Sequence, residues 1–233
     1  MRLNDRIDAG RRLASRLKQY AGLGDLVVLG LPRGGVPVAF AIAEQLGAGL
    51  DAFVVRKVGV PGHEELAMGA VASGGVTVRN ETIIERLGVS PDVFEASAEA
   101  QRLEVDRREK RYRKGRPAWK VRGRNVILTD DGLATGATMK AAVEAIRKNH
   151  PRRLIVAVPV AARVSVDAFR QRLESPSEEF VCLHEPEVLD GLSGWYADFR
   201  QIRDDEVKEL LQTAPIQRCT ERSAKRAEKC SRG

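Results

Sequence analysis

The 233-residue sequence has little of several residue types on which common kinds of site depend. Its three cysteines lie far apart and in no metal-ligand spacing, which argues against a disulfide framework or a cysteine metal site. The three histidines form no catalytic arrangement with serine and aspartate, so a covalent triad mechanism is not indicated. Aromatic residues make up only 5% of the chain, which makes any cluster of them informative.

Long apolar runs are also missing. No stretch approaches the roughly 18 to 20 apolar residues that span a bilayer, and the charged N-terminus lacks the apolar core of a secretory signal. We therefore expect a cytoplasmic protein without a membrane partner. In residues 214–233, six basic residues stand against two acidic ones, so this tail carries +4 of the net charge of +7. The rest of the chain carries only +3, so a strongly basic folded surface is not required and a nucleic-acid partner is not favoured.

Five short apolar runs indicate a parallel β-sheet. Each is rich in Val, Ile or Leu without strict alternation, as in strands covered on both faces. An N-terminal amphipathic helix capped by Asn4 precedes them, and helical patterns lie between several of them, which predicts an α/β fold. The five predicted strands are Leu26–Leu31, Ala52–Val55, Asn125–Thr129, Leu154–Val158 and Glu179–Leu183.

Two segments interrupt the alternation of strands and helices. Leu66–Arg79 has two extended runs around a Ser-Gly-Gly sequence, which predicts a β-hairpin. Ser90 as a cap, with Pro91 in the first turn, predicts the start of a long helix. That helix ends in a run of charges, which we interpret as a solvated face rather than a partner-binding patch.

The strongest functional signal is the segment 125–138, in which a hydrophobic strand leads into two carboxylates, a small-residue turn and a helix. Ligands of parallel α/β sheets bind at the carboxyl ends of strands. The turn and the helix N-terminus present N–H donors to a phosphate, and Thr135 and Thr138 add hydroxyls. Asp130 and Asp131 repel phosphate, whereas vicinal sugar hydroxyls are suitable donors to them. The pattern therefore indicates a site for a ribose 5-phosphate.

This segment resembles the 5-phosphoribosyl-1-pyrophosphate (PRPP) motif of type I phosphoribosyltransferases. The resemblance implies that Asp130 and Asp131 hold the ribose 2′ and 3′ hydroxyls. Many 6-oxopurine transferases carry an acid where this chain has Ala134, which is more similar to the adenine and orotate branches. The segment is not a P-loop, because no Gly-Lys-Ser/Thr follows the turn. The loop residues expected to hold the 5-phosphate are Ala134, Thr135, Gly136, Ala137 and Thr138.

A second candidate follows the first predicted strand, at Arg33, Gly34 and Gly35. Two glycines allow backbone shapes closed to other residues, and arginine offers a fixed fork of donors to phosphate. A tight turn alone would explain the pattern equally well. The turn is similar to the pyrophosphate loop of the same family. We therefore expect these three residues to bind pyrophosphate, with a non-proline cis peptide around Pro32–Gly34.

Arg56 and Lys57 follow the second predicted strand and precede a segment punctuated by glycine and proline. A similar pair in the orotate and related transferases precedes a mobile loop that closes over pyrophosphate. The resemblance makes both residues substrate-binding, and it makes Lys57 catalytic together with Asp130 and Asp131. The alternative for Lys57 is an exposed lysine at a strand end.

The resemblance extends over roughly residues 1–212 to a bacterial family named only as predicted phosphoribosyltransferases, whose acceptor is not settled. It implies the type I phosphoribosyltransferase fold, with a mostly parallel central sheet flanked by helices, a β-hairpin with a flexible loop, an inserted long helix and a C-terminal hood. We place this domain at 1–213, the hood at about 185–200, and a basic, disordered tail at 214–233. Besides the motifs above, the resemblance rests on Asp5-Arg6-x-x-Ala9-Gly10, Glu65-Leu66-Ala67-x-Gly69-Ala70 and Trp195-Tyr196-x-Asp198-Phe199.

The chemistry that the resemblance implies is displacement of pyrophosphate from PRPP by a nitrogenous base or a similar acceptor. Mg²⁺ would be held mainly by the donor itself, so no protein metal motif is needed. Trp195 and Tyr196 are candidates for stacking on a flat acceptor, although they could equally pack the hood onto the core or form a dimer contact. We expect a homodimer.

Three classes of function follow from such a site. The first and favoured one is a phosphoribosyltransferase. The second is a non-catalytic regulator that senses PRPP or a nucleotide on the same fold, although no helix-turn-helix accompanies the motifs. A pyrophosphokinase or a phosphoribosyl hydrolase is the third. Pyrophosphate release in the presence of different bases distinguishes a transferase from a sensor.

Overall fold

A computed structural model describes residues 2–214, and the predicted tail apart from Ala214 lies outside the described residues. Two short 3₁₀ helices, Lys18–Tyr20 and Ser193–Trp195, complement the regular elements. In chain order these elements are α1 (Arg6–Arg16), β1 (Leu26–Gly30), α2 (Gly35–Leu46), β2 (Gly49–Ala52), β3 (Val55–Val60), β4 (His63–Ala72), β5 (Val76–Arg79), α3 (Glu81–Leu87), α4 (Pro91–Arg113), β6 (Asn125–Thr129), α5 (Ala137–Arg147), β7 (Arg153–Val160), α6 (Arg163–Arg170), β8 (Glu178–His184) and α7 (Asp204–Thr213).

The central sheet has five strands in the order β2-β1-β6-β7-β8, and every pair is parallel. Alternate residues of each strand enter two different cores. Val28 and Ile127 join the core that includes residues of α1, α2 and α7, whereas Val27 and Leu128 join the core that includes α5 and α6. Both faces of the sheet are therefore buried, which is why its strands are continuous apolar runs. The predicted α/β fold with a mostly parallel sheet flanked by helices is confirmed.

A second sheet of three antiparallel strands, β3-β4-β5, corrects part of the expectation. The predicted strand Ala52–Val55 is wrong in its bounds, because β2 ends at Ala52 and β3 begins at Val55. Arg56 and Lys57 therefore lie within β3, and the expected mobile loop is mostly a hairpin with a turn at Pro61-Gly62. The hairpin predicted over Leu66–Arg79 is confirmed as β4 and β5.

The helix ends follow local capping. The Ser90 hydroxyl accepts a hydrogen bond from the Val93 amide at the start of α4, and Pro91 lies in the first turn, as predicted. The cap of α1 is Asp5 rather than Asn4, because the Asp5 carboxylate accepts the amide of Asp8 at 2.8 Å. No helix among residues 2–214 is both long and apolar enough to cross a membrane.

A buried ion pair ties the end of α4 to the edge of the central sheet. Arg113 Nε lies 3.1 Å from Asp51 Oδ2, and the two side chains are 11% and 3% exposed. The same carboxylate accepts the backbone N–H of Trp119 at 3.2 Å. This anchor holds α4, which packs on β3 and β4, in a defined orientation.

Replacing Arg113 with Ala should lower the free energy of unfolding by about 3–5 kcal/mol, because the buried Asp51 carboxylate would lose its cation. Denaturant unfolding at neutral pH measures this change. Arg107→Ala is the control, because Arg107 is an exposed member of the same helix and should matter little. Similar small losses in both variants would show that the buried pair does not hold α4 in place.

Candidate functional site

The predicted phosphate loop lies between the end of β6 and the start of α5. Gly136 caps α5 with a φ of +71°, a backbone conformation that favours glycine. Ala134, Thr135 and Thr138 are exposed, so the loop and the first turn of α5 are open to solvent. The free N–H groups of a helix N-terminus and two threonine hydroxyls can therefore reach an anion at this edge of the sheet.

The two acidic residues lie just before this loop and interact with each other. The backbone N–H of Asp131 donates to Asp130 Oδ1 at 2.9 Å. Burial, followed by the charge of Asp131, raises the pKa of Asp130 well above its ordinary value of 3.8. A buried carboxyl group whose pKa is raised in this way is typical of a functional site.

Asp131 has two supports that come from the opposite ends of the domain. Arg6, in the first turn of α1, donates from Nε to Asp131 Oδ2 at 2.8 Å and is only 7% exposed. The Tyr196 hydroxyl donates to the carbonyl oxygen of Asp131 at 2.5 Å. Arg6 is a site residue that the sequence motifs did not indicate, although a charged residue on the buried side of an amphipathic helix is a signal for one.

The turn at Arg33, Gly34 and Gly35 packs directly against the acid pair. A Cβ atom on Gly34 would lie 2.0 Å from Asp131 Oδ2, and one on Gly35 would lie 2.8 Å from Asp130 Cα. Side chains are therefore excluded at both positions for lack of space. The expected non-proline cis peptide is confirmed between Pro32 and Arg33, and the Arg33 side chain is exposed.

Arg56 and Lys57 meet the phosphate loop across an open cleft of about 640 Å³. Thr138 lines the same cleft from α5, so one predicted phosphate residue lies with Arg56 and Lys57. The predicted pyrophosphate residues Arg33, Gly34 and Gly35 do not line this cleft. Arg56 donates from Nε to Gln101 Oε1 of α4 at 3.1 Å, whereas Lys57 is exposed. Gln101 and its neighbours on α4 are site residues that sequence reasoning missed, because nothing in a charged helix indicates which residues face a cleft.

The predicted hood follows β8 and pairs with the N-terminal arm of the chain. Leu3 forms a parallel bridge with Tyr196, whose ring is only 1% exposed. Tyr196 therefore packs beside the acid pair and has no free face for an acceptor. The half-buried Trp195 ring lies 5.5 Å from the ring of His184.

The comparisons with known proteins agree with this arrangement. A model of the phosphoribosyl transferase domain family matches residues 2–174, which include every site segment except the hood. Two proteins of Mycobacterium tuberculosis, from strains CDC 1551 and H37Rv, are each named "Putative phosphoribosyl transferase". They are 42% identical to this chain over 211 residues, which is 91% of the chain and 46% of each relative. The chain thus spans about half the length of these relatives.

A solved structure extends the likeness to the fold. The crystal structure of a protein from Thermus thermophilus is 41% identical and superposes with a TM-score of 0.81. The match covers 92% of this chain and all of that protein. At this identity and TM-score the two chains share a common fold.

Asp130→Asn should raise the free energy of unfolding at pH 7. The pKa of Asp130 in the folded state lies above its ordinary value of 3.8. Above pH 3.8, ionisation of this carboxyl therefore favours the unfolded state, and an uncharged amide avoids that loss of stability. The gain should shrink as the pH falls and disappear below about 3.8, where the carboxyl is protonated in both states. Denaturant unfolding across this range tests it, with the exposed Asp106→Asn as the control. A variant less stable than wild type at pH 7 contradicts the prediction.

Proposed function

Because the chain belongs to the phosphoribosyl transferase domain family, we propose that it transfers phosphoribose from PRPP to a nitrogenous base or a similar acceptor and releases pyrophosphate. The observation that carries the proposal is the meeting of three groups at one sheet edge. These groups are the acid pair, the open phosphate loop after it, and the glycine turn packed on both carboxylates. A ribose 5-phosphate that carries a pyrophosphate needs all three.

Each part of the donor has a chemically suitable partner. Asp130 and Asp131 accept hydrogen bonds from the ribose hydroxyls, and residues 134–138 bind the 5-phosphate through N–H and hydroxyl donors. We assign the pyrophosphate to Arg33, Gly34 and Gly35 on one side and to Arg56 and Lys57 on the other. Arg33 and Lys57 are exposed, so their side chains can reach a ligand.

Catalysis in this proposal depends on alignment and charge. Displacement at the anomeric carbon proceeds through an oxocarbenium-like state, in which negative charge develops on the departing pyrophosphate. Lys57, exposed in the cleft and opposite Thr138, supplies a cation for that charge. In this proposal Mg²⁺ is held mainly by oxygens of the donor. When bound, Mg²⁺ would neutralise part of the pyrophosphate charge.

Fewer hood residues remain candidates for contact with the acceptor than the sequence alone indicated. Tyr196 is occupied in supporting Asp131, so of the two hood aromatics Trp195 is the remaining candidate for contact with a base. Ala134 leaves no acidic side chain at the position where many 6-oxopurine transferases have one, which favours other acceptors. The homodimer stays a prediction.

PRPP should bind the wild-type protein in the presence of Mg²⁺, and the double variant Asp130→Asn with Asp131→Asn should bind it more weakly by about 1–3 kcal/mol. The reason is the loss of charged acceptors for the ribose hydroxyls. Isothermal titration calorimetry measures both affinities. Asp106→Asn serves as a control, because it neutralises an exposed carboxylate of α4 that does not line the cleft. Unchanged affinity in a folded double variant rules out the ribose assignment.

Turnover separates a transferase from a sensor with the same site. The protein is incubated with PRPP, Mg²⁺ and one base at a time, and pyrophosphate release is recorded. A base-dependent release supports the proposed function and names the acceptor class. Tight donor binding without release for any base tested would support a sensor, and release without a base would indicate a hydrolase.

Lys57→Ala should lower kcat on the order of a hundredfold while changing donor affinity much less, because its charge matters most as pyrophosphate departs. Steady-state kinetics and calorimetry give the two quantities separately. Lys110→Ala, at an exposed position of α4, is the control. An equal loss in affinity and turnover would make Lys57 a binding residue only.

A further inference from the structure

Arg6 is a buried cation whose contacts all lie around the acid pair and the hood. Its Nε donates to Asp131 Oδ2 at 2.8 Å, and its Nη1 donates to the carbonyl oxygen of Arg200 at 2.9 Å. The Phe199 ring lies 4.0 Å from its guanidinium carbon, which adds a cation–π contact. A charged group that is only 7% exposed is costly unless it is paired, so its place beside Asp131 requires an explanation.

The Asp131 carboxylate has little room to move. Gly34 approaches Oδ2 so closely that even a methyl group there would overlap the oxygen. Arg6 Nε lies on the same oxygen. Arg6 therefore holds one oxygen of Asp131. The other oxygen has no N–H donor among the described residues, and the adjacent Asp130 carboxyl contacts the Asp131 carboxyl.

We propose that Arg6 is a positioning residue of the donor site, which holds Asp131 through Oδ2 so that Oδ1 can accept a ribose hydroxyl. This inference rests on the proposed function. It assigns to the first turn of α1 a part in donor binding, although Arg6 itself need not touch the donor. Through the Arg200 carbonyl, the same guanidinium also joins the acid pair to the segment after the hood.

The charge of Arg6 has a second effect, which also favours a carboxylate that can accept a ribose hydroxyl. Two adjacent carboxylates repel each other, and the charge of Arg6 opposes the rise in the pKa of Asp130 that burial and Asp131 produce. Tyr196, the other polar group packed on Asp131, stays a neutral donor because burial and Asp131 raise its pKa. Asp5 adds a further negative charge nearby. Arg6 is therefore a cation that favours the ionised form of Asp130.

The test compares Arg6→Gln, Arg6→Lys and the control Arg12→Gln, which alters an arginine of the same helix that pairs with Asp8 instead. Calorimetry measures the Kd of PRPP with Mg²⁺, of ribose 5-phosphate, and of inorganic pyrophosphate with Mg²⁺. For Arg6→Gln, we expect Kd for both ribose ligands to rise by about tenfold to a hundredfold, as for a lost hydrogen bond to a charged group. The Kd for pyrophosphate should change much less. Its assigned turn contacts Asp131, but pyrophosphate has no hydroxyl group to donate to the carboxylate that Arg6 positions.

The pH dependence of binding gives a readout that a purely structural role would not change. Without the cation, Asp130 should protonate at higher pH, because the charge of Arg6 lowers its pKa. The acidic limb of ribose 5-phosphate binding should therefore shift upward in Arg6→Gln. Arg6→Lys retains the charge and should keep this limb near its wild-type position, even where its affinity is lower. If Arg6→Gln does not fold, the affinities of Arg6→Lys for ribose 5-phosphate and for pyrophosphate test the inference instead.

Several results would overturn the inference. They are a folded Arg6→Gln with wild-type affinity and pH profile, an equal loss in Arg12→Gln, or an Arg6→Lys that loses pyrophosphate and ribose 5-phosphate affinity alike. A wild-type protein that binds neither PRPP nor ribose 5-phosphate overturns the proposed function itself, and this inference with it. The wild-type titration therefore distinguishes the two failures.

Discussion

Two neighbouring carboxylates at the edge of a parallel sheet are the constraint around which the other parts of this site are arranged. Asp130 and Asp131 repel each other, and burial disfavours the charge of Asp130. The Asp131 amide and the Arg6 guanidinium each offset part of that cost. The Tyr196 hydroxyl holds the Asp131 backbone through its carbonyl oxygen. The adjacent turn can approach only because it carries hydrogens instead of side chains at both glycines. The phosphate loop, α1 and the hood are therefore arranged around these two carboxylates.

The parts of the site that could be predicted from sequence are those formed by residues that are neighbours along the chain. Segment 125–138 is a strand, an acid pair, a turn and a helix in sequence, and β6 has the predicted bounds. The glycine turn and its cis peptide are equally local. A continuous apolar run predicts a strand covered on both faces wherever the chain forms one.

The parts that could not be predicted depend on contacts between distant segments. Gly59 and Pro61 indicated a loop after Lys57, yet Gly59 lies in an irregular stretch of a hairpin, where a Cβ would be 2.4 Å from the Glu64 carbonyl oxygen. Glycine there marks a close approach of two strands rather than the end of one. Arg6 and Tyr196 reach Asp131 across 125 and 65 residues, and no sequence pattern records such a pairing.

The arrangement also links the stability of the domain to its ligand. The acid pair is supported by residues near both ends of the domain, since Leu3 pairs with Tyr196 and Arg6 bonds to Asp131 and Arg200. An ionised Asp130 makes the empty protein less stable than an uncharged residue would, so the pair is retained against a stability cost. A ligand whose hydroxyls bind these carboxylates would recover part of that cost, because binding to the folded state alone stabilises it. The same two charges that weaken the empty domain would therefore hold its arm, core and hood together when a ribose occupies the site.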